Sequence, residues 1–331
     1  MLNGWIILDK PLGLGSTNAV SAVKRALREA GEPKTKVGHG GTLDPLATGV
    51  LPIALGEATK LAGRMLDATK AYDFTIAFGT QTNTLDLEGQ VIATSGVRPT
   101  LAQVQSILPR FTGPIDQVPP AYSALKVDGE RAYDLARKGI EVELKTRAVT
   151  IHSLHIRHPR ESGDPSPGDR ELEIGSRFRG NDITDSITLS ATVSKGTYIR
   201  SLARDIALAL GTVGHVTMLR RTKAGPFTLE SAISLDNLNE AAKARALTRT
   251  VLPLRAGLDD IPALPVTPDQ ARLLRHGQSL FGISAKGSHQ SNTLMGPGPG
   301  LYLAVEAETP VALVEVSDDG CKVVRGFNLN E

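Results

Sequence analysis

A single cysteine, Cys321, in 331 residues excludes an internal disulfide framework, and one thiol alone does not make a Cys-type zinc site. A reducing cytoplasm is the simplest setting for such a chain. No stretch approaches the roughly 20 uninterrupted apolar residues that a membrane-spanning helix needs. The N-terminus, MLNGWIILDKPLG, has no basic leader and reaches Asp9 soon after its apolar run, so it reads as a first strand and not as a secretion signal. Phosphate-loop and dinucleotide-binding glycine motifs are absent, as are HExxH and paired-cysteine metal motifs. Nor do acidic residues cluster at metal-ligand spacing, which disfavours a metal-dependent nucleic-acid hydrolase. No internal repeat is found.

A hydrophobic content of 40% over this length is enough for a substantial core, and the length suggests two domains. The organising stretch is Gly38 to Lys60, GHGGTLDPLATGVLPIALGEATK, which sets Gly38, His39, Gly40, Gly41 and Asp44 ahead of the apolar run Val50–Leu55. Such a glycine run signals positive φ or close approach to the main chain. Asp44-Pro45 has two readings. It is a turn or helix cap with proline in the next position, or a carboxylate on a glycine-framed loop, able to act as nucleophile or base. His39 is likewise either a buried imidazole or a functional one.

The rest of the chain alternates strand and helix signals. Trp5–Leu8 is a short strand. Ser16 or Thr17 caps a helix with Val20, Val23, Leu27 and Ala30 on one face, and Lys24, Arg25 and Arg28 fall elsewhere, as an ordinary wet face or as contacts to RNA phosphates. Gly56–Leu66 reads as a second short helix. Tyr72, Phe74, Ile76 and Phe78 alternate as the buried side of a strand. Helices are predicted after Thr100, near Arg131–Lys138 and, with Ile199, Leu202, Ile206 and Leu210 on one face, before Gly211. Ile187–Val193 and His215–Arg221 are strands. His158–Asp185 is rich in Pro, Gly, Asp and Arg and reads as a flexible, inessential surface excursion, in which Arg177 and Arg179 flank Phe178. Beyond Leu235 come a helical stretch to Leu247, a helix from Pro268 capped by Thr267, and strands at Leu301–Val305, Val311–Val316 and Cys321–Phe327.

Charge divides along the chain. Lys195 to Gly225 holds six Lys or Arg residues against Asp205 alone, whereas Asp259 to Glu331 holds nine acids against five bases. The basic run suits a phosphate backbone.

The string Gly38–Lys60, together with VPPAYSALKVDGERAYDLARKG (Val118–Gly139), SKGTYIRSLARD (Ser194–Asp205) and HVTMLRRTKAGPF (His215–Phe227), resembles the TruB-type tRNA pseudouridine-55 synthases of bacteria. The likeness implies an α+β fold: a mixed, largely antiparallel sheet flanked by helices in a catalytic domain at 1–240, with a small β-rich PUA-like domain at 250–331. It implies a cofactor-independent, metal-independent isomerase that makes pseudouridine in the T loop of tRNA, acting as a monomer with no membrane partner. Asp44 would be the nucleophile, Arg200 its partner, and Tyr72 the ring stacked on a flipped uracil. His39 would fill the vacated place, Tyr198 and Leu219 would line the pocket, and Lys60 would be a further substrate contact. The residues themselves leave core roles open for Tyr72, Tyr198 and Leu219, and a surface role for Arg200. A tRNA-folding chaperone that depends little on catalysis is the rival reading.

Overall fold

The computed structural model describes residues 1–123, 125–127, 129–138, 140, 144–157, 182–280 and 298–329. The expected surface excursion at 158–185, with Arg177, Phe178 and Arg179, lies almost wholly outside them, as does most of the loop from 287 to 300.

The chain opens with β1 (Gly4–Lys10), α1 (Ser16–Glu29), β2 (Val37–His39) and β3 (Ala47–Leu55). A 3-10 turn (Gly56–Leu61) leads to α2 (Ala62–Asp67), β4 (Lys70–Phe78) and the hairpin β5 (Thr80–Thr82) and β6 (Val91–Thr94). Next come α3 (Leu101–Ile107), β7 (Gly113–Gln117), the pair β8 (Lys126–Val127) and β9 (Glu130–Arg131), and α4 (Ala132–Arg137). The long strands β10 (Arg147–Ile156) and β11 (Ser186–Val193) precede α5 (Ile199–Ala209), β12 (Gly214–Ala224), β13 (Phe227–Thr228) and α6 (Leu235–Lys243). The C-terminal part holds β14 (Ala263–Pro265), α7 (Pro268–Arg275), β15 (Gly300–Glu306), β16 (Thr309–Ser317) and β17 (Gly320–Gly326).

Among the described residues the main sheet runs β1-β3-β12-β4-β11-β10-β7, with β2 beside β3 and β13 beside β12. Its pairings are antiparallel except where Ala47–Gly49 of β3 lies parallel to Leu219–Arg221 of β12. That one step sets the chain just after Asp44 beside Leu219 and Arg221. A separate sheet, β14-β15-β16-β17, forms the C-terminal layer. The fold is therefore α+β, mixed and mostly antiparallel. No described helix is long and apolar enough to cross a membrane.

Three apolar clusters hold the main sheet. Phe74, Ile76 and Phe78 of β4 pack with Leu189 and with Leu202 and Ile206 of α5. Val23 and Leu27 of α1 cover Ile6, Leu8, Leu51 and Ile53. The third joins Trp5 and Val50 to Leu303, Leu313 and Phe327 of the C-terminal layer. Fully burying each such side chain contributes roughly 1.5–3 kcal/mol. The junction is also bonded: the Trp5 indole N–H donates to the Leu254 carbonyl at 3.1 Å, and the Trp5 and Leu252 main chains exchange hydrogen bonds of 2.9 and 2.8 Å.

Local signals were followed with small departures. Thr100 and Thr267 form capping boxes with Gln103 and Gln270. At α1 the cap is Gly15 instead, because the Ser16 hydroxyl is engaged with both main-chain groups of Leu43, at 2.8 and 3.0 Å. The expected helix at Gly56–Leu66 is a 3-10 turn followed by the six-residue α2, about 1.7 turns.

One glycine is dictated by close approach. Gly49 has φ 98°, and a Cβ there would lie 2.2 Å from the Arg221 carbonyl oxygen across the parallel pair. Gly49→Ala is therefore expected to cost roughly 2–4 kcal/mol through overpacking and left-handed strain. Its urea midpoint should fall with the slope unchanged; a midpoint equal to the parent's would refute this close contact.

Candidate active site

Asp44 opens a turn in which the Ala47 N–H donates to the Asp44 carbonyl at 3.0 Å, with Pro45 in the second position where its fixed φ belongs. The turn reading and the functional reading thus coincide, because the main chain turns while the carboxylate, 45% exposed, faces Arg200.

The loop that carries Asp44 is pinned by buried donors from three elements. Lys10, at the end of β1, is fully buried and donates to the carbonyls of Pro11, Leu14 and Pro45 at 3.0, 2.7 and 3.2 Å. Ser16 holds Leu43. Arg221, also buried, donates to the carbonyls of Gly41, Thr42 and Val50 at 3.3, 3.1 and 2.7 Å. A buried charge with several carbonyl acceptors is a demanding arrangement that tolerates little movement.

Arg200 enters from the first turn of α5. Its guanidinium, only 7% exposed, bonds Asp44 at 2.9 Å and Asp86 at 3.2 Å, and donates to the carbonyls of Thr84 and Tyr122 at 2.8 and 3.1 Å. Asp86, which the sequence reading missed, is itself bonded by the Thr84 hydroxyl at 2.5 Å and the Glu88 N–H at 3.0 Å. Between Thr84 and Asp86, Leu85 adopts φ 63°, a costly conformation for a branched side chain that persists only where surroundings enforce it. Here the Leu85 side chain is buried and its carbonyl accepts the Val216 N–H at 3.0 Å. Arg200 thus faces two carboxylates, Asp86 buried beside it and Asp44 half-exposed.

Asp44 borders a cavity of about 200 Å³, whose walls include Gly41, Lys70, Tyr72, Tyr198, Arg200 and Leu219. Tyr72 comes from the buried face of β4, Leu219 from β12 and Tyr198 from the residue that caps α5. Burial pushes the Tyr198 phenol above its usual range. Gln117 fixes that residue's backbone from both sides, at 2.8 and 3.1 Å. Lys70, nearly buried, donates to the carbonyls of Leu66 and Ala68, both at 2.6 Å. Burial, helped by the nearby Arg221 charge, lowers its ammonium to about 8.

Two expected residues lie outside this wall. His39 ends β2, half-buried, with an Nδ1 that has no hydrogen-bond partner among the described residues. Burial and then the Arg221 charge lower its pKa, so the imidazole is kept neutral. Lys60 does not reach the cavity. Its ammonium bonds Glu57 at 2.6 Å and the Gly326 carbonyl at 2.9 Å, tying the 3-10 turn to β17.

The basic run Lys195–Lys223 is also largely engaged within the fold. Lys195 pairs with Asp67 at 2.9 Å, Arg204 with Asp205 at 2.8 Å, and Arg220 with both oxygens of Asp9 at 3.1 and 2.9 Å. With Arg200 and Arg221 committed, Lys223 alone of the six has no hydrogen-bonding or ionic partner among the described residues.

Burial lowers the Lys10 ammonium to about 8 despite the attraction of Asp44. In the unfolded chain it titrates near 10.4, so between these values the unfolded state binds more protons and stability rises with pH. The penalty is fully present below about pH 8. A Lys10→Met variant is expected to lose that contribution to the rise, measured as urea stability at pH 7.5 and 9.5; an identical difference between the two pH values would contradict it.

Comparison with known proteins bears on this arrangement. Residues 24–199 match the family described as TruB family pseudouridylate synthase (N terminal domain), and residues 200–259 match the tRNA pseudouridylate synthase B C-terminal domain. The chain is 59% identical over 331 residues to a protein of Novosphingobium aromaticivorans named tRNA pseudouridine synthase B, covering 100% of this chain and 99% of that one. A protein of the same name from Zymomonas mobilis subsp. mobilis is 55% identical over 327 residues, covering 99% and 96%. Among solved structures, a chain of an H/ACA RNP bound to a substrate RNA containing 2′-deoxyuridine superposes with TM-score 0.66 at 21% identity, covering 98% of this chain and 85% of that one, which is a likeness of fold.

Proposed function

Because this chain belongs to the TruB family of pseudouridylate synthases, an isomerase acting on tRNA, we propose that it converts uridine 55 of the T loop to pseudouridine, with Asp44 as nucleophile and no cofactor. The observation that carries the proposal is a carboxylate paired with a buried arginine at the mouth of a small cavity walled by Tyr72. In the reaction the bond from N1 to C1′ breaks, the uracil turns, and C5 joins C1′. The C5 proton leaves and N1 gains one, so electrons balance without an oxidant or reductant.

Attack at C1′ and attack at C6 both begin from ionised Asp44. Arg200 pairs with it at 2.9 Å and aims it. Tyr72 offers a flat ring to the base and a phenol near the C5 proton, while Tyr198 and Leu219 close the cavity around it. In this reading residues 1–240 form the catalytic domain and 250–331 a PUA-like appendage, in a monomer working in the cytoplasm.

The target base must first leave its stack, and the neutral ring of His39 is suited to take its place without importing a charge. His39→Ala is expected to weaken turnover of folded tRNA roughly tenfold or more through KM, with a smaller effect on an unstructured oligonucleotide. Equal losses on both substrates would count against this role. The position itself is tested with tRNA transcripts carrying tritium at C5 of uridine. Wild-type protein should release one equivalent, and a transcript with cytidine at position 55 should release none. Release that persists from the cytidine transcript would overturn the assignment.

A further inference from the structure

Five of the six cations expected to hold the RNA backbone are engaged by acids or carbonyls of the chain itself, so exposed cations without such partners are better placed to grip it. Between Lys24 and Lys36 the chain carries five cations (Lys24, Arg25, Arg28, Lys34 and Lys36) against Glu29 and Glu32. All five are exposed. None has an ion-pair partner among the described residues, in contrast to the run after Lys195.

Lys24 and Arg28 are like charges four residues apart on α1, an arrangement that destabilises a helix. They stand with Arg25 on the side opposite Val23, Ala26 and Leu27, which are buried against the sheet. The loop that follows turns back along this helix and enters β2, whose Val37 packs into the same cluster. Its main chain is fixed by the Glu32 N–H to the Leu27 carbonyl at 2.9 Å and by the Gly56 N–H to the Lys36 carbonyl at 2.8 Å. Lys36 lies three residues before His39, about 10 Å in extended chain. That is about one Debye length at 0.1 M salt. The cationic surface therefore leads from α1 to the residue that borders the Asp44 loop.

We propose that Lys24, Arg25, Arg28, Lys34 and Lys36 form a docking surface for the phosphate backbone of the substrate RNA's duplex stem, next to the nucleotide that is turned out. This rests on the tRNA-modifying reading of the Asp44 site. A duplex stem presents closely spaced negative charges along its length, and a surface of unpaired, exposed cations on a fixed scaffold is complementary to it. Such contacts position the RNA and carry no sequence information. The surface therefore governs affinity and salt dependence and leaves the chemical step alone.

The test is a variant with Lys24→Gln, Arg25→Gln, Lys34→Gln and Lys36→Gln, compared with Lys322→Gln/Arg325→Gln, which removes two exposed cations of β17. RNA binding is measured over a KCl series, and KM and kcat are measured with tRNA. The slope of log affinity against log salt should flatten by about 0.9 for each contact removed, hence by about 3–4. KM at low salt should rise at least tenfold, and kcat at saturation should match the parent. A charge-conserving variant, Lys24→Arg, Lys34→Arg and Lys36→Arg, should keep the parental slope, which separates charge from side-chain identity. A parental slope in the fourfold variant, or an equal per-residue loss in the β17 control, would overturn the surface. Absence of pseudouridine formation by the wild-type protein would instead sink the reading of the Asp44 site, since binding is read independently of turnover.

Discussion

Asp44→Asn is expected to lower C5-hydrogen release from tRNA by roughly 10⁴-fold or more, the scale seen when a nucleophile is removed from a site that otherwise still binds. The substitution is nearly isosteric and can still accept a hydrogen bond from Arg200, so the wall of the cavity stays in place. What it loses is the negative charge and the electron pair that forms the covalent bond. The Asp44–Arg200 pair is half-exposed on the Asp44 side, and exposed pairs contribute little, about 0–1 kcal/mol. Folding should therefore survive, and tRNA affinity measured by filter binding should stay within roughly threefold, since the backbone contacts that dominate affinity are untouched. Residual release above about 1% of the parent would remove Asp44 from the nucleophile's place. Loss of binding in proportion to turnover would point to the chaperone reading.

Arg200→Ala should affect stability and rate together. It would leave the Asp86 carboxylate, 10% exposed, without its cation, and breaking a buried pair from one side costs about 3–5 kcal/mol. It would also release Asp44 from its bond, with an expected loss of roughly 10²–10³ in kcat. Arg200→Lys tells the two effects apart. A lysine keeps the charge but cannot serve Asp44, Asp86, Thr84 and Tyr122 from one planar fork. The lysine variant should recover much of the stability in urea and little of the rate. Recovery of more than about half of kcat would mean that charge alone, and not the fork geometry, orients Asp44.

Periodic segments were the most legible parts of this chain. The apolar faces of α1 and α5 and the alternation of β4 appear in the spacing of Val23, Leu27, Leu202, Ile206, Phe74 and Ile76, and all of these are buried as read. The loop around Asp44 stood out through its glycines. Asp86 did not. It sits in a polar stretch, Thr80–Thr94, whose hairpin has no apolar alternation, and its meaning exists only because Arg200 arrives from 114 positions later in the chain. Lys10 and Arg221 were hidden for the same reason: a cation buried against carbonyl oxygens has no sequence signature. The pairing of the basic run after Lys195 was not legible, because all but one of the acids that pair with it, Asp9, Asp44, Asp67 and Asp86, are scattered through the first third of the sequence, Asp205 alone lying within the run. Lys60, adjacent to the Asp44 loop in sequence, is drawn away by Gly326 of the last strand.

The junction between Trp5 and Phe327 has a consequence for biogenesis. These side chains belong to one cluster, so the far side of the first strand is closed only when the C-terminal layer packs against it. Until then Trp5 has an apolar neighbour in Phe227, 5.3 Å away between ring centroids, but no cover from Leu303 or Leu313. The first strand is therefore fully covered only when the C-terminal layer docks, and the indole of Trp5, the single tryptophan of the sequence, is a natural fluorescent reporter of that step.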